Sequence, residues 1–213
     1  MRFIHASDLH IDSPLRGLDR YDGAPVERLR SATRSALERL VDKALAERVD
    51  FLLLAGDIYD RDWQDFHTGL FFRGQMVRLE RAGIRCFIVQ GNHDAQGVIS
   101  RQLTLPANVT VFSSRAAQTI RLDELSVAIH GRSFPEREVN EDLVPSYPPP
   151  VPSCFNIGLL HTSLTGRAGH DTYAPTDLPT LVAKGYDYWA LGHVHAREVL
   201  NERPRIVFCG NLQ

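Results

Sequence analysis

Cysteine is scarce in this sequence: Cys86, Cys154 and Cys209 make up the whole complement of 213 residues, odd in number, far apart and without a C-x-x-C pair. That excludes a disulfide scaffold and fits free or buried thiols in a reducing compartment. Long apolar runs are also missing. No stretch of about 18 apolar residues is present to span a bilayer, and the opening Met1-Arg2-Phe3-Ile4-His5 has no signal-peptide apolar core. A cytoplasmic location without membrane contact is therefore expected. Nor does charge of one sign dominate, because 24 Lys and Arg stand against 26 Asp and Glu, a formal net charge of -2. Such a balance gives no general attraction to polyanions, so nucleic-acid binding would need a local basic face or a partner subunit.

What is present is enough apolar material, 43% of the chain, for one globular core. Short apolar runs recur at Phe3 to Ala6, Phe51 to Ala55, Cys86 to Val89, Val127 to Ile129, Ile157 to Leu160 and Tyr188 to Leu191. Runs this short and this apolar suit strands buried on both faces. Between the first two, Val26, Leu29, Ala32, Ala36, Leu40, Ala44 and Leu45 recur at three- and four-residue steps, predicting an amphipathic helix with Pro25 at its first position. A second helix is predicted from about Trp63 to Arg81, with Gly83 as its terminating glycine. Strand, helix, strand, helix, strand is an α/β pattern, and right-handed crossovers would leave the first three strands parallel. The proline-rich segment from Phe134 to Ser153 is expected to be an extended surface connection.

The polar residues that carry chemistry fall where these strands end. Asp8-Leu9-His10 follows the first, Gly56-Asp57 the second and Gly91-Asn92-His93-Asp94 the third; His161 and Gly192-His193-Val194-His195 come later. Taken singly, each has a bland explanation: a turn cap, a loop exit, two side chains on one strand face. Taken together at strand carboxyl ends, where ligands bind in open α/β sheets, they point to a single cleft.

Imidazole, carboxylate and amide oxygen suit Mn²⁺, Fe²⁺ or Zn²⁺, and the lack of thiolate argues against a structural zinc site. Seven candidates, Asp8, His10, Asp57, Asn92, His161, His193 and His195, exceed what one tetrahedral ion needs. Two ions about 3.5–4 Å apart sharing a carboxylate would use them all, with Asp57 as the bridge.

The pattern D-x-H, G-D-x-x-D, G-N-H-D, H and G-H-x-H resembles that of the calcineurin-like metallophosphoesterases. The runs Ile4 to His10 and Tyr186 to His195 are similar to its double-strand-break repair nuclease branch, with SbcD-type and YhaO-like members. The resemblance covers residues 4 to 213. It implies a four-layer αββα sandwich of two mixed sheets flanked by helices. It also implies two divalent ions, foremost Mn²⁺, one held by Asp8, His10 and His195 and the other by Asn92, His161 and His193, with Asp57 between them. A water or hydroxide bridging the ions would attack phosphorus in line. His93 would serve the leaving oxygen, with Asp94 orienting its ring.

The implied activity is a manganese-dependent phosphodiesterase on DNA, an exonuclease or endonuclease in repair. A phosphatase or cyclic-nucleotide phosphodiesterase on the same centre, or a non-catalytic interaction module, are the competing readings. The chain stops at Gly210-Asn211-Leu212-Gln213 directly after the apolar run Ile206 to Phe208, so residues 1–213 are expected to be the catalytic, N-terminal part of a longer protein. By resemblance, the remainder would cap DNA and engage an ATPase of the structural-maintenance-of-chromosomes type, with homodimerisation left open. His5 and His130 are expected in the core, His67 on a helix and His170 in a solvated loop. Asp60 is expected to orient a neighbouring ligand or loop. Arg16, Arg20, Arg61 and Arg132 lie near the motif loops, where they could meet phosphates.

Overall fold

A computed structural model describes residues 1–13, 31–60, 65–95, 103–165 and 173–212. Its first sheet holds β1 (Phe3–Ala6), β2 (Phe51–Ala55), β3 (Arg85–Val89) and β4 (Val109–Val111), adjacent in that order and parallel throughout. The second holds β5 (Gln118–Leu122), β6 (Val127–Gly131), β7 (Phe155–His161), β8 (Tyr188–Gly192), β9 (Glu198–Glu202) and β10 (Arg205–Phe208), in the order β5-β6-β7-β8-β10-β9. There β6, β7, β8 and β10 run parallel and the edge strands β5 and β9 antiparallel. The α-helices among the described residues are α1 (Ala32–Glu47), α2 (Phe66–Arg81) and α3 (Leu178–Ala183).

The alternation of side chains along β2 explains the layering. Phe51, Leu53 and Ala55 face the second sheet and pack with Ile157, Leu159 and Ala190. Leu52 and Leu54 face the other way, packing with Leu37 and Val41 of α1 and Phe72 and Met76 of α2. A strand buried on both faces needs an unbroken apolar run, which is what Phe51 to Ala55 supplies. On the outer face of the second sheet, Leu181 of α3 joins Trp189, Leu191 and Phe208. The four layers, helices, sheet, sheet and helix, follow. One detail differs from expectation: the first sheet is wholly parallel rather than mixed.

Local signals set the helix ends. Asp65 caps α2 by accepting from His67 N at 2.8 Å, and Arg78 and Arg81 place positive charge at its C-terminal end. Gly83, at φ +73°, turns the chain into β3. α1 begins at Ala32; Pro25, Val26, Leu29 and Trp63 lie outside the described residues.

The proline-rich connection departs from expectation. Phe134, Val139, Leu143, Val144 and Tyr147 are buried in the outer core with Trp189. Tyr147 Oη donates to Leu159 O at 2.8 Å and Tyr186 Oη to Pro148 O at 2.6 Å. Proline bars the segment from a ladder or a long helix without barring its apolar side chains from the core.

Candidate metal centre

The backbone gathers the site before any side chain acts. Past the end of the β1–β2 ladder, Asp8 N donates to Gly56 O, His10 N to Asp57 O and Ile11 N to Ile58 O, at 3.0–3.1 Å. Ile11 then bridges Tyr59, in the register set by Phe3 and Phe51. The two motif loops are thus zipped together although Asp8, His10 and Asp57 have φ of 53°, 41° and 53°. His193 adds a φ of 98°. Left-handed non-glycine residues cost roughly 1–2 kcal/mol each, and here they concentrate at the proposed ligands.

Three sets of donor atoms converge, each within 4.8 Å: Asp8, His10 and His195; Asp57, His161 and His193; and His10, Asp60 and His93. The first set holds the three residues that the resemblance assigns to one ion, and the second holds Asp57 with two of those it assigns to the other, Asn92 being the third. That residue is buried, with its Oδ1 3.0 Å from His161 Nε2, so it belongs beside the second set. Asp57 Oδ2 lies 3.3 Å from His161 Nε2 and 4.0 Å from His10 Nε2, between the two sets. Its other oxygen, Oδ1, accepts from His93 N at 2.9 Å.

The donors fit divalent ions. His10 Nε2 is buried, 4.0 Å from the nearest carboxylate, and has no hydrogen-bond partner among the described residues, a cost in the absence of a ligand. His161 Nδ1 donates to Ala55 O at 2.8 Å, which turns Nε2 towards Asp57 and Asn92. Asp8 is braced by Ser7 Oγ, which donates to Oδ2 at 2.5 Å, and by His193 N, at 3.0 Å from the same oxygen. Its Oδ1 lies 3.7 Å from His195 Nε2. The His195 side chain is 52% exposed, marking the open side of the cleft.

Glycine is required under this centre. A Cβ on Gly91 would sit 2.4 Å from Asp57 Oδ1, and one on Gly192 would sit 1.9 Å from Ala55 O. The two sheets and the His161 ring approach too closely there for a side chain.

Charge follows from burial and neighbours. Burial pushes the Asp57 carboxyl up, but His161, His93 and His10 hold it well below the carboxylate range. Burial opposes charge on His161, but Asp57 outweighs it and raises its pKa to about 9.

Asp94 requires a correction. Rather than orienting His93, its buried carboxylate accepts from Ile58 N, Tyr59 N and Gly91 N, at 2.9, 3.0 and 3.3 Å, and locks the two loops together. Burial, then repulsion from Asp57, push its pKa up to about 7 against the pull of these amides. The His93 ring is instead held by Asp60, whose Oδ1 accepts from Nδ1 at 2.8 Å. Adjacency in sequence favoured Asp94; the register of the loops selects Asp60. Ser7 lies in the run Ile4 to His10, but the sequence alone assigns it no role.

The other histidines fall as follows. His5 is hydrogen-bonded to Tyr188 Oη and Leu191 O between the sheets. His130 is fully buried, bonded to Thr119 and Asn156 and stacked on Tyr186. His67 is exposed on α2. Arg132 is tied to Ser114 O, Ser146 and Glu141; Arg16, Arg20, Arg61 and His170 lie outside the described residues. No described helix is long and apolar enough to cross a membrane.

Comparison with known proteins adds an independent line. The family model described as calcineurin-like phosphoesterase matches residues 1–197. The chain is 37% identical over 217 residues to the uncharacterized metallophosphoesterase YhaO of Bacillus subtilis, covering 100% of this chain and 53% of YhaO. It is 25% identical to the DNA double-strand break repair protein Mre11 of Methanopyrus kandleri, covering 92% of this chain and 44% of that protein. It is 28% identical to the SbcD component of the nuclease SbcCD of Escherichia coli K12, covering 54% and 27%. The chain thus spans about half the length of the first two relatives. The crystal structure of TT1561 of Thermus thermophilus shares the fold, with a TM-score of 0.50, 14% identity and 84% of each chain covered.

Proposed function

Because the chain belongs to the calcineurin-like phosphoesterase family, we propose that it is a two-metal phosphodiesterase acting on DNA, foremost with Mn²⁺. The observation that carries this reading is the position of Asp57 Oδ2 between the His10 and His161 nitrogens, with a further set of donors on either side. Asp8, His10 and His195 would hold one ion, Asn92, His161 and His193 the other, and Asp57 both. Ions bound there supply water acidified towards neutrality and positive charge against the phosphoryl oxygens.

The chain's own residues do the rest. Ser7 holds Asp8 Oδ2, the His193 amide is shared between Oδ2 and Oδ1 at 3.0 and 3.2 Å, and the His93 amide occupies Asp57 Oδ1. Asp57 thereby keeps Oδ2 for the centre, and both oxygens of Asp8 are fixed in orientation. Asp60 accepts a hydrogen bond from Nδ1 of His93, so His93 would present Nε2 to the departing oxygen and, as the doubly protonated ring, deliver a proton there. No protein nucleophile is needed.

DNA as substrate is supported by the names of the Mre11 and SbcCD relatives rather than by net charge. Residues 1–213 are, in this reading, the catalytic unit of a longer protein in repair, working with an ATPase partner of the structural-maintenance-of-chromosomes type. The test compares hydrolysis of bis-p-nitrophenyl phosphate, p-nitrophenyl phosphate and labelled linear DNA, with Mn²⁺ and with EDTA, by wild type and Asp57→Asn. Metal-dependent diester and DNA cleavage, reduced at least about 100-fold in the variant, is the expected result. Dominant monoester hydrolysis would move the chain to the phosphatases, and failure to bind metal would leave only an interaction role.

A further inference from the structure

The His93–Asp60 pair has a third member. Ser13 Oγ donates to Asp60 Oδ2 at 2.6 Å, while Oδ1 of the same carboxylate accepts from His93 Nδ1 at 2.8 Å. Ser13 N in turn donates to His10 O at 3.0 Å. Side chains from the loops after β1, β2 and β3 therefore meet at one carboxylate. Asp60 is about one-fifth exposed and His93 about one-quarter, so this hydrogen-bonded chain lies at the edge of the cleft rather than inside the core.

We propose that Ser13 is a positioning residue for His93, an inference that rests on the phosphodiesterase reading above. The Ser13 hydroxyl on Oδ2 opposes the rotation by which the carboxylate would trade its oxygens. With Oδ2 occupied by the Ser13 hydroxyl, Oδ1 is the oxygen left for Nδ1, and the ring is fixed in the orientation that presents Nε2. During hydrolysis the water oxygen forms the new bond to phosphorus and the bond to the leaving oxygen breaks with its electron pair. The Nε2 proton of the doubly protonated ring goes to that oxygen, and the proton shed by the attacking water restores the ring. A leaving alkoxide such as a nucleoside oxygen needs this proton, whereas p-nitrophenolate is stable without it, so Ser13 governs substrates with poor leaving groups.

Two readouts test this. The first is the nitrogen-bound ring proton of His93 in metal-free, histidine-labelled protein followed by NMR, assigned by its absence in His93→Gln. Its resonance is expected in wild type and in Ser13→Thr, and lost to solvent exchange in Ser13→Ala. The second is the ratio of dinucleotide to bis-p-nitrophenyl phosphate hydrolysis, expected to fall about tenfold in Ser13→Ala and to be kept in Ser13→Thr. An unchanged His93 resonance in Ser13→Ala, or a proportional loss on both esters, would overturn the proposal. If the wild type cuts neither ester, the phosphodiesterase reading fails, while the resonance comparison still decides whether Ser13 positions His93.

Discussion

His161 Nε2 faces two acceptors at once, Asp57 Oδ2 at 3.3 Å and Asn92 Oδ1 at 3.0 Å, while its Nδ1 donates to Ala55 O. Both ring nitrogens therefore carry protons in the metal-free centre, and the ring is an imidazolium paired with the Asp57 carboxylate. The His161 pKa, raised from 6.5 to about 9 by Asp57 against the opposing effect of burial, agrees with that geometry.

Metal must displace the Nε2 proton of His161 to reach that nitrogen. Binding at neutral pH is thus expected to release about one proton, and affinity to rise about tenfold per pH unit from 7 to 9. Isothermal titration of Mn²⁺ in two buffers of different ionisation enthalpy measures the release directly. Identical apparent enthalpies in both buffers would show that His161 is not protonated before binding. In the metal-free protein the same shift works on stability. A folded pKa above the unfolded value gives a contribution that is complete below about 6.5 and lost as pH rises through about 9.

How far the sequence reached depends on whether the cause was local. The seven ligand candidates were legible because each sits directly after an apolar run, and the runs that became β1, β2, β3, β7 and β8 deliver them to one edge. What was illegible depended on register. Asp60 meets His93 because Asp94 and the His93 amide tie the β3 loop to the β2 loop at Asp57, Ile58 and Tyr59, and only the folded register shows that. β4, β5 and β9 escaped notice because they are short edge strands with polar or half-exposed positions, as in Gln118–Leu122 and Glu198–Glu202. The apolar-run signal belongs to strands covered on both faces.

Gly91 and Gly158 separate crowding of the centre from crowding of the core. A Cβ at Gly91 would meet Asp57 Oδ1 at 2.4 Å and His161 Nε2 at 2.8 Å; one at Gly158 would meet Trp189 Cε3 at 2.2 Å. Overpacking of this kind costs about 1–3 kcal/mol, so both alanine variants are expected to lower the urea midpoint. Only Gly91→Ala is expected to lose metal, because only there do ligand atoms have to move. Equilibrium metal binding alongside urea unfolding checks this, and wild-type affinity for two ions in Gly91→Ala would refute the crowding argument.

His5 should set the acid limit of stability where His161 sets the alkaline one. Its Nε2 donates to Leu191 O at 3.2 Å, so Nδ1 is the acceptor for Tyr188 Oη, also at 3.2 Å. A neutral ring satisfies both partners, and burial lowers the pKa from 6.5 to about 4 despite the help of the Leu191 carbonyl. Here the folded pKa lies below the unfolded one, so the unfolded chain takes up the proton first. The contribution of His5 is complete above about pH 6.5 and is lost as pH falls towards 4. The full difference is on the order of 3 kcal/mol. His5→Gln, which keeps a donor and an acceptor without a titrating ring, is expected to narrow the stability gap between pH 7 and pH 4.5 by about 2 kcal/mol. Urea unfolding of wild type and variant at both pH values measures it, and an unchanged gap would assign the acid limb to other groups.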